Sequence, residues 1–210
     1  MKLTKEEVQF IDKYLKEGGI KYWDIRLEMV DHLVSDIESY EGSADFKTLF
    51  LQSLKNANWA KNLNEVNTNS WKSTNKIYRS KHTKELLSIL KNPIYIIGIL
   101  GFYSGFTWVT NLFPLILRPL SFAVLLAPMI VMVYELIRSW RMKLGHSINM
   151  NYGFFYFSFG IIMMNLPIQF LPKEYLNIWL PIVMTVYLIL AIAGYRVYKF
   201  AFKEVLKMKN

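Results

Sequence analysis

The sequence predicts an all-α protein in two parts: a small N-terminal three-helix cytoplasmic module and a four-helix transmembrane bundle built from two helical hairpins. Three observations predict it. Charge is unevenly spread: residues 1–91 are polar and charged, whereas from Pro93 to Tyr195 the charges reduce to Arg118, Glu135, Arg138, Arg141, Lys143, Lys173 and Glu174. The apolar residues of that second region fall into four runs of about 20, the length a helix needs to cross a bilayer. The apolar residues of residues 1–60 instead recur every three or four positions, as on a half-buried helix.

The first predicted helix opens at Thr4-Lys5-Glu6-Glu7, a capping-box pattern, carries Val8, Ile11, Tyr14 and Leu15 on one face, and stops at Gly18-Gly19. A second runs from about Tyr22 to Tyr40. Ile25, Met29, Leu33, Ile37 and Tyr40 share its inner side, and Asp24, Glu28, Asp31, His32, Ser35 and Glu38 its outer side. Gly42-Ser43 ends it. A third begins near Ala44, with Phe46, Leu49, Phe50, Leu54 and Ala57 inward. Residues 1–60 form an acidic module, with eight Lys/Arg against eleven Asp/Glu.

Residues 61–92 read as a basic juxtamembrane connector. Its Asn-rich part, residues 62–75, reads as a loose linker, and Trp71 to Leu90 either as the ordinary positive flank of a first span or as an amphipathic helix suited to an anionic lipid surface. The spans follow at Pro93–Leu112, Leu115–Ile137, Tyr152–Leu171 and Tyr175–Tyr195, within a transmembrane domain of residues 93–200, and residues 201–210 form a basic cytoplasmic tail. Arg118 and Glu135 lie near the ends of the second span, from which both can reach toward headgroups, Glu135 with Arg138 three residues on. The connections Asn111–Pro114 and Pro172–Glu174 have room only for tight turns. Gly101 and Gly105 have the spacing that permits close helix packing. Ala127 to Leu136 resembles Leu180 to Ile189, aligning Pro128 with Pro181 and Tyr134 with Tyr187, as a duplicated hairpin would.

Lysine and arginine set the expected orientation. They concentrate before the first span, between the second and third at Arg138, Arg141 and Lys143, and after the fourth at Arg196, Lys199, Lys203, Lys207 and Lys209. Both termini are therefore expected in the cytoplasm, in the inner membrane of a bacterium. The opening run MKLTKEEVQFIDKYLK alternates charged with apolar residues and has no continuous apolar core of a signal peptide.

The run Tyr22-Trp23-Asp24-Ile25-Arg26-Leu27-Glu28-Met29-Val30-Asp31-His32, followed by Asp36-Ile37-Glu38 and the Phe46–Leu54 helix, resembles the small helical signalling modules called HAAS-like. The Tyr-Trp-Asp-Ile-Arg form is also similar to membrane proteins of Bacteroidetes-type bacteria. The resemblance covers roughly residues 4–60. It implies a module placed ahead of transmembrane spans and paired with a winged-helix transcription regulator of the PadR type. The chain departs from the pattern in its short Gly-Ser-Ala-Asp-Phe turn and in lacking a glycine after the third helix, at Lys55-Asn56-Ala57-Asn58-Trp59.

Catalytic patterns are missing from the sequence. There is no cysteine, which excludes disulfides and thiolate metal sites, and no Gly-rich phosphate loop, His-Glu-x-x-His pair or nucleophile elbow. The histidines are His32, His82 and His146. Glu28, His32 and Asp36 share one helix side at metal-ligand spacing, but the expectation is no metal, no cofactor and no enzyme activity. The expected partner-binding residues are Glu28, Asp31, His32 and Ser35, an acidic face for a cytoplasmic protein, with no direct contact to nucleic acid. The expected function is membrane-bound regulation or anchoring; the alternative is an accessory subunit of a membrane transport or other membrane complex.

Overall fold

In the computed structural model, which describes residues 2–42, 44–60, 63–170 and 175–209 (backbone alone at 161 and 163–170), every regular element is helical. The order is α1 (Lys5–Glu17), α2 (Trp23–Glu38), α3 (Phe46–Asn56), α4 (Leu63–Lys91), α5 (Pro93–Leu112), a 3-10 turn (Pro114–Ile116), α6 (Leu117–Arg141), α7 (Ile148–Phe170) and α8 (Leu176–Lys209). The chain divides into two compact units: residues 1–75 with 145–149, and residues 76–144 with 150–210. Three helical stretches among the described residues are long and apolar enough to cross a membrane: Pro93–Leu112, Pro114–Arg141 and Leu176–Lys209. The protein is thus an all-α membrane protein. The expected third span coincides with α7 up to Phe170; its end at Leu171 and the Pro172–Glu174 turn lie outside the described residues.

In the first unit, α1, α2 and α3 pool their apolar faces. Ile11 and Leu15 from α1, Ile25, Met29, Leu33 and Ile37 from α2, and Leu49, Phe50 and Leu54 from α3 are all buried. Phe10 and Tyr14 meet Phe50 edge-on, with ring centroids 5.6 and 5.1 Å apart. Tyr40, expected in this stripe, is exposed, because α2 ends at Glu38 and the helical phase no longer holds there. The capping box at Thr4 and Glu7 forms in both directions.

Three helices stop by the same device, in which the residue after the C-cap turns left-handed and the next amide reaches back to close the last turn. Gly19 (φ +100°) does this for α1, with Ile20 N–H on Leu15 O at 3.1 Å. Asn58 (φ 59°) does it for α3, with Trp59 N–H on Leu54 O at 2.8 Å. Asparagine tolerates this conformation better than most residues, and so supplies what the missing glycine would have. Lys143 (φ 49°) ends α6, with Leu144 N–H on Ser139 O at 3.3 Å.

The expected linker at 62–75 is helical from Leu63, as the start of the 29-residue α4. Its polar residues turn inward on the helix itself: Thr68 Oγ1 donates to Asn64 O at 2.9 Å and Ser73 Oγ to Ser70 O at 3.0 Å. Trp71 gives this stretch an apolar anchor against Tyr22, ring centroids 5.9 Å apart. Farther along α4 the stripe Tyr78, His82 and Ile89 is buried. Tyr78 stacks on Tyr152 at 6.0 Å and His82 faces Tyr156 at 5.2 Å. That stripe is covered by protein, while Trp71, Ile77, Leu87 and Leu90 of the same helix are exposed.

In the second unit α8 packs against both α5 and α6. It meets α7 through glycines: a Cβ on Gly153 would lie 2.7 Å from Ala201 Cβ, and one on Gly194 would lie 2.6 Å from Tyr156 O and 2.8 Å from Phe157 Cα. Gly101 and Gly105, expected to mediate such packing, have nothing among the described residues within 4 Å of an added Cβ. Pro128 and Pro181 both lie inside helices. Tyr187 is fully buried and donates to Leu125 O at 2.8 Å, whereas Tyr134, its counterpart in the resemblance between the two hairpins, is 62% exposed.

Gly194→Ala should therefore destabilise the detergent-solubilised chain by about 1–3 kcal/mol, since the new methyl group meets backbone atoms that cannot rotate away. Gly101→Ala should be neutral or stabilising by up to ~1 kcal/mol, the helix-propensity gain. Thermal unfolding followed by circular dichroism orders the variants; the reverse order would refute this packing.

Candidate docking face

The first unit carries the expected partner-binding residues on one side of α2. Glu28, Asp31, His32 and Ser35 are all exposed, while Ile25, Met29, Leu33 and Ile37 on the other side are buried. The i, i+3, i+4, i+7 spacing brings the four onto one face. The His32 ring lies 5.3 Å from that of Trp59, so an aromatic flank borders the acidic surface. The Glu28 carboxyl is held above the ordinary value, first by partial burial and then by the nearby Asp24 charge. No cation of α2 offsets these charges on the face. Arg26, the one basic residue of α2, is turned inward, with Nε donating to Asp12 Oδ1 at 2.8 Å and a guanidinium nitrogen to Ile20 O at 3.0 Å.

Past this face, where α2 ends, a cleft of about 330 Å³ opens between α2 and α3. Asp36, Tyr40, Glu41, Gln52 and Asn56 are among its lining residues, with Leu49 and Ile37 at its apolar side. Ser53 also lines it; its buried hydroxyl has no hydrogen-bond partner among the described residues. Among the described residues the lining is rich in acceptors and has no lysine or arginine. Glu28, His32 and Asp36 do not converge: among the described residues no group of three or more His, Asp or Glu side chains is placed to hold a metal ion.

Asp24 departs from the sequence reading. It was expected on the outer side of α2, and it is only 1% exposed. Its carboxylate accepts from Ser147 Oγ at 2.7 Å, from the backbone amides of Ile148 and Asn149 at 3.0 and 3.1 Å, and from Asn149 Nδ2 at 2.9 Å. Ile148 and Asn149 open α7, where backbone amides have no acceptor within their own helix, and Ser147 directly precedes them. Asp24 is thus a cap for α7 contributed from another helix. Trp23 N–H bonds His146 O at 3.1 Å beside it. Gly145 (φ +66°) brings the chain against the Trp23 ring, where an added Cβ would lie 3.4 Å from Cδ1. The Trp-Asp-Ile-Arg run is therefore consumed internally: Asp24 and Trp23 on the 145–149 segment, Arg26 on α1. No local signal in the sequence joins Asp24 to residues more than 120 positions away.

In the second unit Glu135 is buried to 2% exposure rather than reaching outward. Tyr198 and Tyr195 donate to it at 3.1 and 3.3 Å. Arg138 and Lys199 lie 3.5 and 3.9 Å from its oxygens. The pairing of Glu135 with Arg138 was legible from their spacing; the two phenols, contributed by α8, were not. His82 Nε2 is buried with no partner among the described residues, and burial lowers the pKa of this imidazole. Its ring packs against those of Tyr156 and Phe159.

No protein-family model matches the chain, and no curated protein or solved structure is significantly similar to it.

Asp24→Asn should destabilise the first unit by about 2–4 kcal/mol, because an amide donor would face the Ser147 and Asn149 donors in a buried site. Asp31→Asn, on the exposed face, should stay within ~0.5 kcal/mol of wild type. Thermal or denaturant unfolding of the full chain in micelles measures both. Equal losses would mean that Asp24 does not hold the 145–149 segment.

Proposed function

We propose that the chain is a membrane-bound regulatory or anchoring protein whose N-terminal helical module docks a basic cytoplasmic protein on Glu28, Asp31, His32 and Ser35. The observation that carries this reading is the division of labour on α2. Its apolar side fills the core, and Asp24 and Arg26 are spent on internal contacts. What remains exposed is a face of acceptors with no cation among them. Such a face favours a positively charged partner and speeds its encounter. The resemblance to HAAS-like modules suggests a PadR-like winged-helix regulator, held at the membrane and released to its operator when the module lets go.

The topology that goes with this function has four spans, α5 to α8, in a bacterial inner membrane with both termini cytoplasmic. The basic residues before α5, between α6 and α7, and along the end of α8 support it. So does Asn92, which caps α5 through Ile94 N–H at 3.0 Å and sets Pro93 in its first turn, a sharp start for a span.

Affinity capture from native membranes tests the docking face, comparing wild type with a Glu28→Lys/Asp31→Lys double variant. A winged-helix protein recovered with wild type should fall roughly tenfold with the variant, as expected when steering charge is reversed. Equal recovery of the same partners would remove this face from the reading. Recovery of transport components without any transcription regulator would favour the accessory-subunit alternative.

A further inference from the structure

An open, almost wholly apolar crevice of about 590 Å³ lies among α5, α6, α7 and α8, within the size range of small-molecule sites. Val124, Pro128 and Val131 line it from α6, and Leu188, Ile192 and Tyr195 from α8. Both stripes continue, at helical spacing, into the Glu135 cluster: Val131 leads to Arg138 and Ile192 to Lys199, each seven residues on, or roughly 10 Å along the helix. The Tyr195 hydroxyl joins the two regions, since its ring lines the crevice and its O–H donates to Glu135. Arg138 and Lys199 side chains are each 39% exposed, whereas Glu135, which they flank, is nearly sealed. Two cations over one buried carboxylate leave one positive charge turned outward. From Val124 to Arg138 the distance is about 21 Å, close to one leaflet of hydrocarbon, about 15 Å, plus the headgroup region.

We propose that this crevice holds one acyl chain of an anionic phospholipid whose phosphate sits on Arg138 and Lys199. The apolar lining selects hydrocarbon, the exposed cations select an anion, and their separation along α6 and α8 matches one lipid molecule. Arg138 also lies over the Phe202 ring at 4.7 Å and Lys199 over the Tyr195 ring at 5.8 Å, contacts that leave their charge in place while restricting where each side chain points.

Native mass spectrometry of the full chain in detergent, titrated with phosphatidylglycerol or phosphatidylcholine of identical acyl chains, tests the proposal. The expected result is roughly tenfold tighter retention of phosphatidylglycerol. Arg138→Ala/Lys199→Ala should bring it down to the phosphatidylcholine value. Arg141→Ala/Lys143→Ala, which removes two exposed cations off these stripes, should leave the preference intact. Val131→Trp, filling the crevice from its open side, should weaken both lipids. A melting curve for each variant separates loss of fold from loss of lipid. Equal retention of the two lipids by wild type, an equal fall in both double variants, or undiminished binding by Val131→Trp would each overturn the site.

Discussion

One side chain, Asp24, accepts hydrogen bonds from four residues: Ile25 of its own helix and Ser147, Ile148 and Asn149 at the start of α7. A buried carboxylate is costly to desolvate unless its oxygens are met by donors. The positive end of a helix, with amides that have no acceptor in their own helix, is among the best environments for one. The requirement runs both ways. Without Asp24, the amides of Ile148 and Asn149 would lose the carboxylate that accepts from them; without these donors, the buried carboxylate would lose what offsets its desolvation. The other features of residues 145–149 follow from this pairing: the left-handed Gly145 against Trp23 and the His146 carbonyl on Trp23 N–H.

That constraint also explains the exposed acidic face. α2 carries charges on more than one side, and the structure separates them by use. Asp24 and Arg26 are internal, the latter bonded to Asp12. Glu38 accepts from Leu3 N–H at 3.0 Å. Glu28, Asp31 and His32 serve none of these internal roles, and with Ser35 they stay in solvent. A similar economy holds in the second unit, where Glu135 is buried among Tyr195, Tyr198, Arg138 and Lys199. In both units a buried acid organises its surroundings.

Much of the fold was legible because it rests on local rules. Charge depletion and run length located α5, α6 and α8, and Pro93 marked the start of α5 to the residue. The stripe Ile25, Met29, Leu33 and Ile37 followed from helical period, and the α1 cap from Thr4 and Glu7. What the sequence could not show depends on contacts between distant segments. Asp24 looks like any first-turn acid until residues 147–149 are placed beside it. Glycines 101 and 105 carry the packing pattern but meet nothing among the described residues, while Gly153 and Gly194, at no motif spacing, make the close approach between α7 and α8. Residues 63–75 look like linker by composition, and Trp71 against Tyr22 anchors them as helix. Of the acidic face on α2, the four residues and their exposure were legible from period alone; the inward turn of Asp24 and Arg26, which isolates that face, was not.

If Asp24 caps α7, amide hydrogen exchange at Ile148 and Asn149 reports it. In the full chain in detergent or lipid discs, both amides should be protected in wild type and in Asp31→Ala. In Asp24→Ala both should exchange much faster, while amides within α5 and α6 keep their protection. Unchanged protection of Ile148 and Asn149 in Asp24→Ala would mean that Asp24 does not cap α7.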